Sequence, residues 1–352
     1  MKIAQVSPLY ESVPPAQYGG TERVVHYLTE QLVADGHQVT LFASADSKTS
    51  ARLIPVIKKA SRTNPDTVDG LGNHFTEIEM VEKMAHEFDI IHSHIDYLYY
   101  PVMKRTQHKY LTTLHGRLDI PELQGIYKEF KNIPVVSISN DQRKPLLFSN
   151  WAGTVYHGLP SDLYHFNEIP QPYLAFVGRI SPEKRVDRVI DLARRTGIPV
   201  KIAAKVDKAD EEYFENEIRR KLDDPLVEFL GEIDDAEKDV ILGNSLASLY
   251  LIDWPEPFGL AMIESMACGT PVIAFNCGSV PEVIDEGITG FIVNDMEEAV
   301  KAVKKISSID RSGCYKKFIE RFSAERMVRD YIAIYEKLTG NSLRKKIVEQ
   351  TN

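Results

Sequence analysis

A strand, a glycine-bearing loop and an amphipathic helix open this chain, and after a proline-rich break the same order begins again. Residues 2–7 read as a buried strand and residues 8–20 as a loop. Val24, Val25, Leu28 and Leu32 then recur at helical spacing until Gly36 stops the helix. Residues 38–43 form the next strand, with further short strands at 90–92, 110–114 and 135–138. The sequence EIPQP at 168–172 interrupts the pattern and is the best linker. Beyond it, 173–177 is a strand, 178–185 a loop, and Val186, Val189, Ile190 and Ala193 line one face of a helix. Strands follow at 200–204, 227–230, 247–251, 271–275 and 290–293. Strands alternating with helices imply parallel sheets, because only a crossover can join parallel neighbours. The expected fold is therefore α/β, two Rossmann-like domains facing across a cleft, with ligands held at the carboxyl ends of the strands. The domains would span 1–168 and 169–323, leaving a final helix and tail at 324–352. Sequence alone does not say whether that helix closes the second domain or crosses back to the first.

Composition narrows the function classes. A length of 352 residues gives room for two ordinary domains. The net charge of −9 argues against nucleic acid as a partner and gives no general attraction to anionic membranes, leaving only local peripheral contact open. No apolar run approaches the ~18 residues of a membrane span. The opening residues already read as a strand rather than a signal peptide, so a cytoplasmic protein is expected. The three cysteines, Cys268, Cys277 and Cys314, form no CxxC pair and suit a reducing compartment.

The chemistry concentrates in residues 254–275, WPEPFGLAMIESMACGTPVIAF. Glu256 lies in a turn bracketed by Pro255 and Pro257, and Phe258 and Gly259 follow. Leu260–Ala267 is rich in helix formers, Gly269 ends the helix and 271–275 is a buried strand. The first N–H groups of such a helix lack internal partners and carry the positive end of its dipole. This is an anion site with Glu256 at its mouth and Glu264 roughly 7 Å further along. A phosphate flanked by hydroxyl-bearing groups fits, and a nucleotide sugar is such a ligand. Arg179 and Lys184 sit in the loop after the first strand of the second half, where a guanidinium fork and an ammonium suit phosphate oxygens. Tyr18-Gly19-Gly20-Thr21 closes the first loop of the chain and lets backbone approach a ligand at a helix start. It is not GxGxxG, so the nicotinamide fingerprint is missing. His115 ends a strand beside Gly116. His92 and His94 alternate onto one strand face, but no second Cys or His cluster completes a metal site, and no Asp-x-Asp triplet is present to hold a divalent ion. Phosphate charge would then be met by protein groups, with no metal or other cofactor.

With these residues assembled, the chain resembles a retaining glycosyltransferase of the GT-B fold, family four, over nearly its whole length. The resemblance rests on EPFGLAMIE with its E-x7-E spacing, ACGTPVIAF, GSVPE, VGRISPEKR, YGGTERVV and LHG. It implies that Arg179 and Lys184 hold the donor diphosphate, that Glu256 reaches hydroxyls of the donor sugar and that Glu264 binds the ribose. It also implies backbone contacts from Phe258, Gly259 and Leu260, an approach to phosphate by Gly19 and Gly20, and a place for His115 beside the sugar, where its carbonyl helps the emerging cation. Gly231, Ile233 and Lys205 resemble the family's base-binding edge. Tyr18, Asp96 and Tyr97, with Tyr10 nearby, suit a hydroxyl-bearing acceptor. The activity implied is metal-independent transfer of a hexose from a UDP-glucose or GDP-mannose type donor. The alternatives are a nucleotide-sugar epimerase or a non-catalytic nucleotide-sugar binding protein. A glycoside hydrolase would need carboxylates on opposite sides of a bond, which two glutamates at one helix end do not supply.

Overall fold

The computed structural model describes residues 1–16 and 19–340. These form two compact units. The first comprises 1–158 and the helix that begins at Ala324, and the second is Leu159–Ser323.

The first unit carries seven strands: β1 (Lys2–Val6), β2 (Gln38–Ser44), β3 (Arg52–Ile57), β4 (Ile90–Ser93), β5 (Tyr110–Thr113), β6 (Pro134–Ser137) and β7 (Asn150–Thr154). They pair in the order β3-β2-β1-β4-β5-β6-β7, every pair parallel. Ala4, Val6, Phe42 and Ile91 on the strands pack with Ile78, Val81, Tyr99 and Tyr100. The helix Gly20–Ala34 buries Val24, Val25, Leu28 and Leu32, the positions that the periodicity selects. Strands β3 and β7 escape sequence reading. β3 contains Pro55 and β7 Gly153, and neither strand has a fully buried residue. A sheet edge shows little of the apolar signature that a central strand must have.

The second unit carries β8 (Leu174–Arg179), β9 (Val200–Lys205), β10 (Val227–Gly231), β11 (Ala247–Tyr250), β12 (Val272–Phe275) and β13 (Gly290–Val293). Their order is β10-β9-β8-β11-β12-β13, again wholly parallel. Leu174, Phe176, Ile202, Leu249, Ile273 and Phe275 meet Val186, Val189, Ile190 and Ala193 of the helix Val186–Thr196. That helix ends at Gly197, whose φ of 69° places it in the left-handed region that glycine enters without strain.

The break at 168–172 is not where the units divide. Residues 159–172 lie on the second unit: Tyr164 OH donates to Glu264 at 3.3 Å, and His165 Nδ1 meets Asp239 at 2.7 Å. Asn167 bonds to Asn244 at 2.7 Å and its carbonyl accepts from Arg311 Nε at 2.6 Å. The prolines mark an extended segment held by hydrogen bonds, and the division falls earlier, after Gly158. The last helix, Ala324–Thr339, belongs to the first unit, where Met327, Val328, Tyr331, Ile334 and Tyr335 are buried.

In β13, Gly290 pairs with Val272 of β12 so closely that a Cβ would lie 1.9 Å from the Val272 carbonyl oxygen. Gly290→Ala should therefore lower unfolding stability by about 1–3 kcal/mol or more. Gly125→Ala, in a helix with nothing within 4 Å of the added carbon, should instead raise it by roughly 0.5–1 kcal/mol. Urea unfolding of the two variants tests both signs.

Candidate active site

In each sheet the strand order reverses once. In the second unit β8 is followed outward by β9 and β10, while β11 returns to its other side. The crevice outside such a reversal is where open α/β sheets bind ligands. Arg179 ends β8, and the loops leaving β8 and β11 carry Lys184 and Glu256. Lys184 lies at the end of a short turn, Pro182–Lys184, and Arg185 then takes a left-handed conformation at φ 53° before the helix begins. Arg185 is held there by Asp187 at 2.9 Å and Asp253 at 2.8 Å. A bulky residue in that region is strained, and such strain gathers where a loop is fixed for use. The result places the Lys184 ammonium directly on the Glu256 carboxylate, both groups largely shielded from solvent.

Glu256 is set from the other side by the GSVPE segment. Gly278 has φ 57°, and a Cβ there would lie 2.7 Å from the Glu256 backbone nitrogen and oxygen. Ser279 donates its N–H to the Glu256 carbonyl at 3.2 Å and its hydroxyl to the Phe258 carbonyl at 2.6 Å. Phe258 itself is buried, edge-on to Phe322. Gly259 begins the helix Leu260–Ala267 at φ 87°, against the Tyr250 hydroxyl, where a Cβ would stand 2.4 Å away. The motif is thus a clamp on the backbone that aims the Glu256 side chain and the first N–H groups of the helix at one place.

Among the remaining second-unit residues the charged ones are already engaged. Arg179, at the end of β8, meets Glu183 and Asp207 at 3.1 Å and Asp210 at 3.6 Å. Lys205, at the end of β9, meets Asp207 at 3.2 Å. Gly231 ends β10 at φ 71° with open space around its α-carbon, and Ile233 is half-buried beyond it. Glu264 is buried and accepts from Lys238 Nζ at 2.9 Å and from Tyr164 at 3.3 Å. Lys238 and Tyr164 are absent from the sequence reading, since neither stands in a motif. Lys238 reaches Glu264 because the Asp234 capping box starts its helix beside Ile233.

In the first unit the reversal lies between β1 and β4. Gly19 and Gly20 follow β1, and a Cβ on Gly19 would strike Pro15 at 2.7 Å. Tyr18 lies outside the described residues. Glu22, third in the helix after the glycines, is another residue that motif reading passes over: it is buried and accepts from the Glu11 N–H at 3.3 Å. Burial raises its carboxyl to about 7. Asp96 follows β4 at φ 49°, accepts the His115 backbone N–H, and is raised to about 6 by burial. Tyr97 beside it packs edge-on to Tyr127. His115, after β5, is half-buried, its imidazole pushed down to about 3 by desolvation.

His92 and His94 do share a face, with ring centroids 4.1 Å apart. All four of their ring nitrogens are committed, however: His92 to Tyr335 and Thr113 at 2.7 Å each, His94 to His115 at 2.9 Å and Gln5 at 2.7 Å. Among the described residues no three His, Cys, Asp or Glu side chains are grouped to hold a metal ion.

Family comparison fits this arrangement. Residues 166–322 match the model of glycosyl transferases group 1, and residues 18–190 match glycosyltransferase family 4. Both halves of the chain thus match glycosyltransferase family models. A probable sucrose-phosphate synthase of Thermosipho melanesiensis is 30% identical over 52% of this chain and 45% of its own length. An α-maltose-1-phosphate synthase of Mycolicibacterium smegmatis is 26% identical over 49% of this chain and 50% of its own. The chain thus spans about half the length of these curated relatives. Among solved structures, sucrose-phosphate synthase from Thermosynechococcus elongatus aligns over 97% of this chain and 100% of its own, with TM-score 0.78 and 20% identity. Anabaena HepE in complex with UDP-glucose aligns over 97% and 100%, with TM-score 0.71 and 18% identity. These structural likenesses place the chain in the GT-B class of fold, with each unit Rossmann-like. No helix among the described residues is long and apolar enough to cross a membrane.

The buried Glu22 gives this chain a pH signature. Its native value near 7 stands above the ordinary 4.5, so its stabilising contribution is complete below 4.5 and is lost as pH rises through 7. Glu22→Gln removes that loss. The melting temperature of the variant relative to the parent should rise between pH 5 and pH 8, by the equivalent of roughly 3 kcal/mol at most. Calorimetry at the two pH values checks the sign.

Proposed function

We propose that this transferase moves a hexose from a nucleoside-diphosphate sugar to a hydroxyl acceptor, with retention of configuration and without a metal ion. The observation that carries this is the contact of Lys184 with Glu256 at the carboxyl edge of the second sheet, beside the N-terminus of the helix Leu260–Ala267. A cation, a carboxylate and a helix N-terminus at one spot match the three parts of a sugar diphosphate. Lys184, with the backbone N–H groups of Phe258, Gly259 and Leu260, would take the phosphate. Glu256 would take sugar hydroxyls. Arg179 would add charge at the phosphate by exchanging a carboxylate partner for it. Glu264, oriented by Lys238 and Tyr164, would receive ribose hydroxyls, with Gly231, Ile233 and Lys205 toward the base. In the first unit, Gly19 and Gly20 would approach phosphate and His115 the sugar, with Asp96 and Tyr97 on the acceptor side.

Breaking the anomeric C–O bond leaves positive charge on the sugar and negative charge on the diphosphate. Donors fixed at the phosphate stabilise that separation more than the ground state, and this difference is what lowers the barrier. In this reading the departing phosphate accepts the proton of the attacking hydroxyl. The sucrose-phosphate synthase relative and the HepE complex with UDP-glucose favour a glucose-bearing donor.

Lys184→Ala and Glu256→Gln should each cut turnover about a hundredfold or more with unchanged circular dichroism. Full activity in both would overturn the assignment. Transfer should persist in excess EDTA, and a loss that magnesium restores would overturn metal independence. A thermal-shift panel of UDP, GDP, ADP and their sugars identifies the donor, since a ligand at a hundred times its dissociation constant adds about 2.7 kcal/mol.

A further inference from the structure

The first unit contains a continuous row of polar side chains, and of these only His115 stands in a motif of the resemblance. Tyr331 and Tyr335 come from the last helix, Thr113 from β5, His92 from β4, Gln5 from β1, and His94 and His115 from the residues just past β4 and β5. All but His115 are buried. Thr113 lies 2.9 Å from the Tyr331 hydroxyl and 2.7 Å from His92 Nε2. His92 Nδ1 lies 2.7 Å from the Tyr335 hydroxyl, which accepts from Gln5 Nε2 at 3.3 Å. Gln5 Oε1 lies 2.7 Å from His94 Nε2, and His94 Nδ1 lies 2.9 Å from His115 Nε2.

The Gln5 amide gives this row a direction. Its oxygen can only accept, so His94 carries its proton on Nε2 and leaves Nδ1 as an acceptor. His115 must then donate from Nε2, which places its own lone pair on Nδ1. Burial disfavours a second proton on either ring. His115 Nδ1 is buried and without a hydrogen-bond partner among the described residues, an arrangement that ordinarily calls for an absent water or ligand. His157 stacks on the same ring at 5.3 Å and 17°, and the Asp96 carboxylate holds its backbone N–H. Ring plane, backbone and tautomer are thus fixed by three separate neighbours. Turning the Gln5 amide over would reverse every donor along the row and put the His115 proton on Nδ1.

We propose that His94, held by Gln5, is a positioning residue that fixes His115 as the neutral Nε2–H tautomer and so keeps Nδ1 as an acceptor for a ligand hydroxyl. The proposal rests on the reading that His115 serves sugar transfer. It also assigns work to the last helix, because Tyr335 orients the amide that sets the tautomer.

Long-range proton–nitrogen correlation spectra of the full chain, labelled at histidine, test this without substrate. In the parent protein His115 should show a protonated Nε2 and an unprotonated Nδ1, and a protonated Nδ1 overturns the proposal. In His94→Phe the single tautomer should give way to a mixture, with kcat about tenfold lower and donor KM changed less than twofold. His94→Asn, whose amide oxygen can still accept from His115, should recover kcat to within about threefold and restore the tautomer. A His94→Phe protein that keeps both tautomer and kcat, or an Asn variant no better than Phe, overturns the proposal. An inactive parent protein with the expected tautomer would instead defeat the transferase reading and leave the positioning intact.

Discussion

Parallel strands cannot be joined by a tight turn, and that constraint organises both units. Each strand must be followed by a crossover that returns to the opposite edge, so every loop leaving a carboxyl end is free of the duty of pairing the next strand. Where the order reverses, two such loops diverge and leave room between them. In the second unit those loops hold Lys184 and Glu256, and in the first they hold Gly19 and Asp96. Neither pair is near in sequence. Lys184 and Glu256 meet because β8 and β11 are neighbours although two strands separate them along the chain.

The charge balance of the second unit follows from the same crowding. Arg179, Lys205 and Lys238 each stand opposite carboxylates from neighbouring loops or helices. A cation held this way is oriented, and its desolvation cost is already met by the partner. In the proposed reading a phosphate would compete with a carboxylate instead of with bulk water, so selectivity would depend on geometry more than on net attraction. The overall charge of −9 would otherwise repel such a ligand.

Much of this was legible in the sequence where one physical cause dominates. Central strands such as β1 and β12 announce themselves because both faces are buried, and Gly259 and Gly269 bracket a helix because only glycine enters their φ easily. The Glu256 motif was readable for a related reason, its glycines and prolines being demanded by backbone geometry. Edge strands β3 and β7 were not readable, being half covered. The linker prolines misled, since they report local extension and not where packing ends. His92 and His94 were visible as a pair, yet their purpose depended on Gln5 and Tyr335, residues far away along the chain that no periodicity connects. Polar partners chosen across a fold leave no local trace.

The return of the last helix has a consequence for synthesis. The second unit is an insertion in the first, and its two ends are tied to one another where the Leu159 N–H meets the Phe322 carbonyl at 2.9 Å. A ribosome delivers residues 1–158 first but withholds Tyr331 and Tyr335 until the whole second unit has emerged. The inserted unit can therefore complete itself while the older half of the protein still waits with Gln5, His92 and Thr113 each short of a tyrosine partner. Domains emerging in order normally fold in that order. Here the first to appear is the last to be finished.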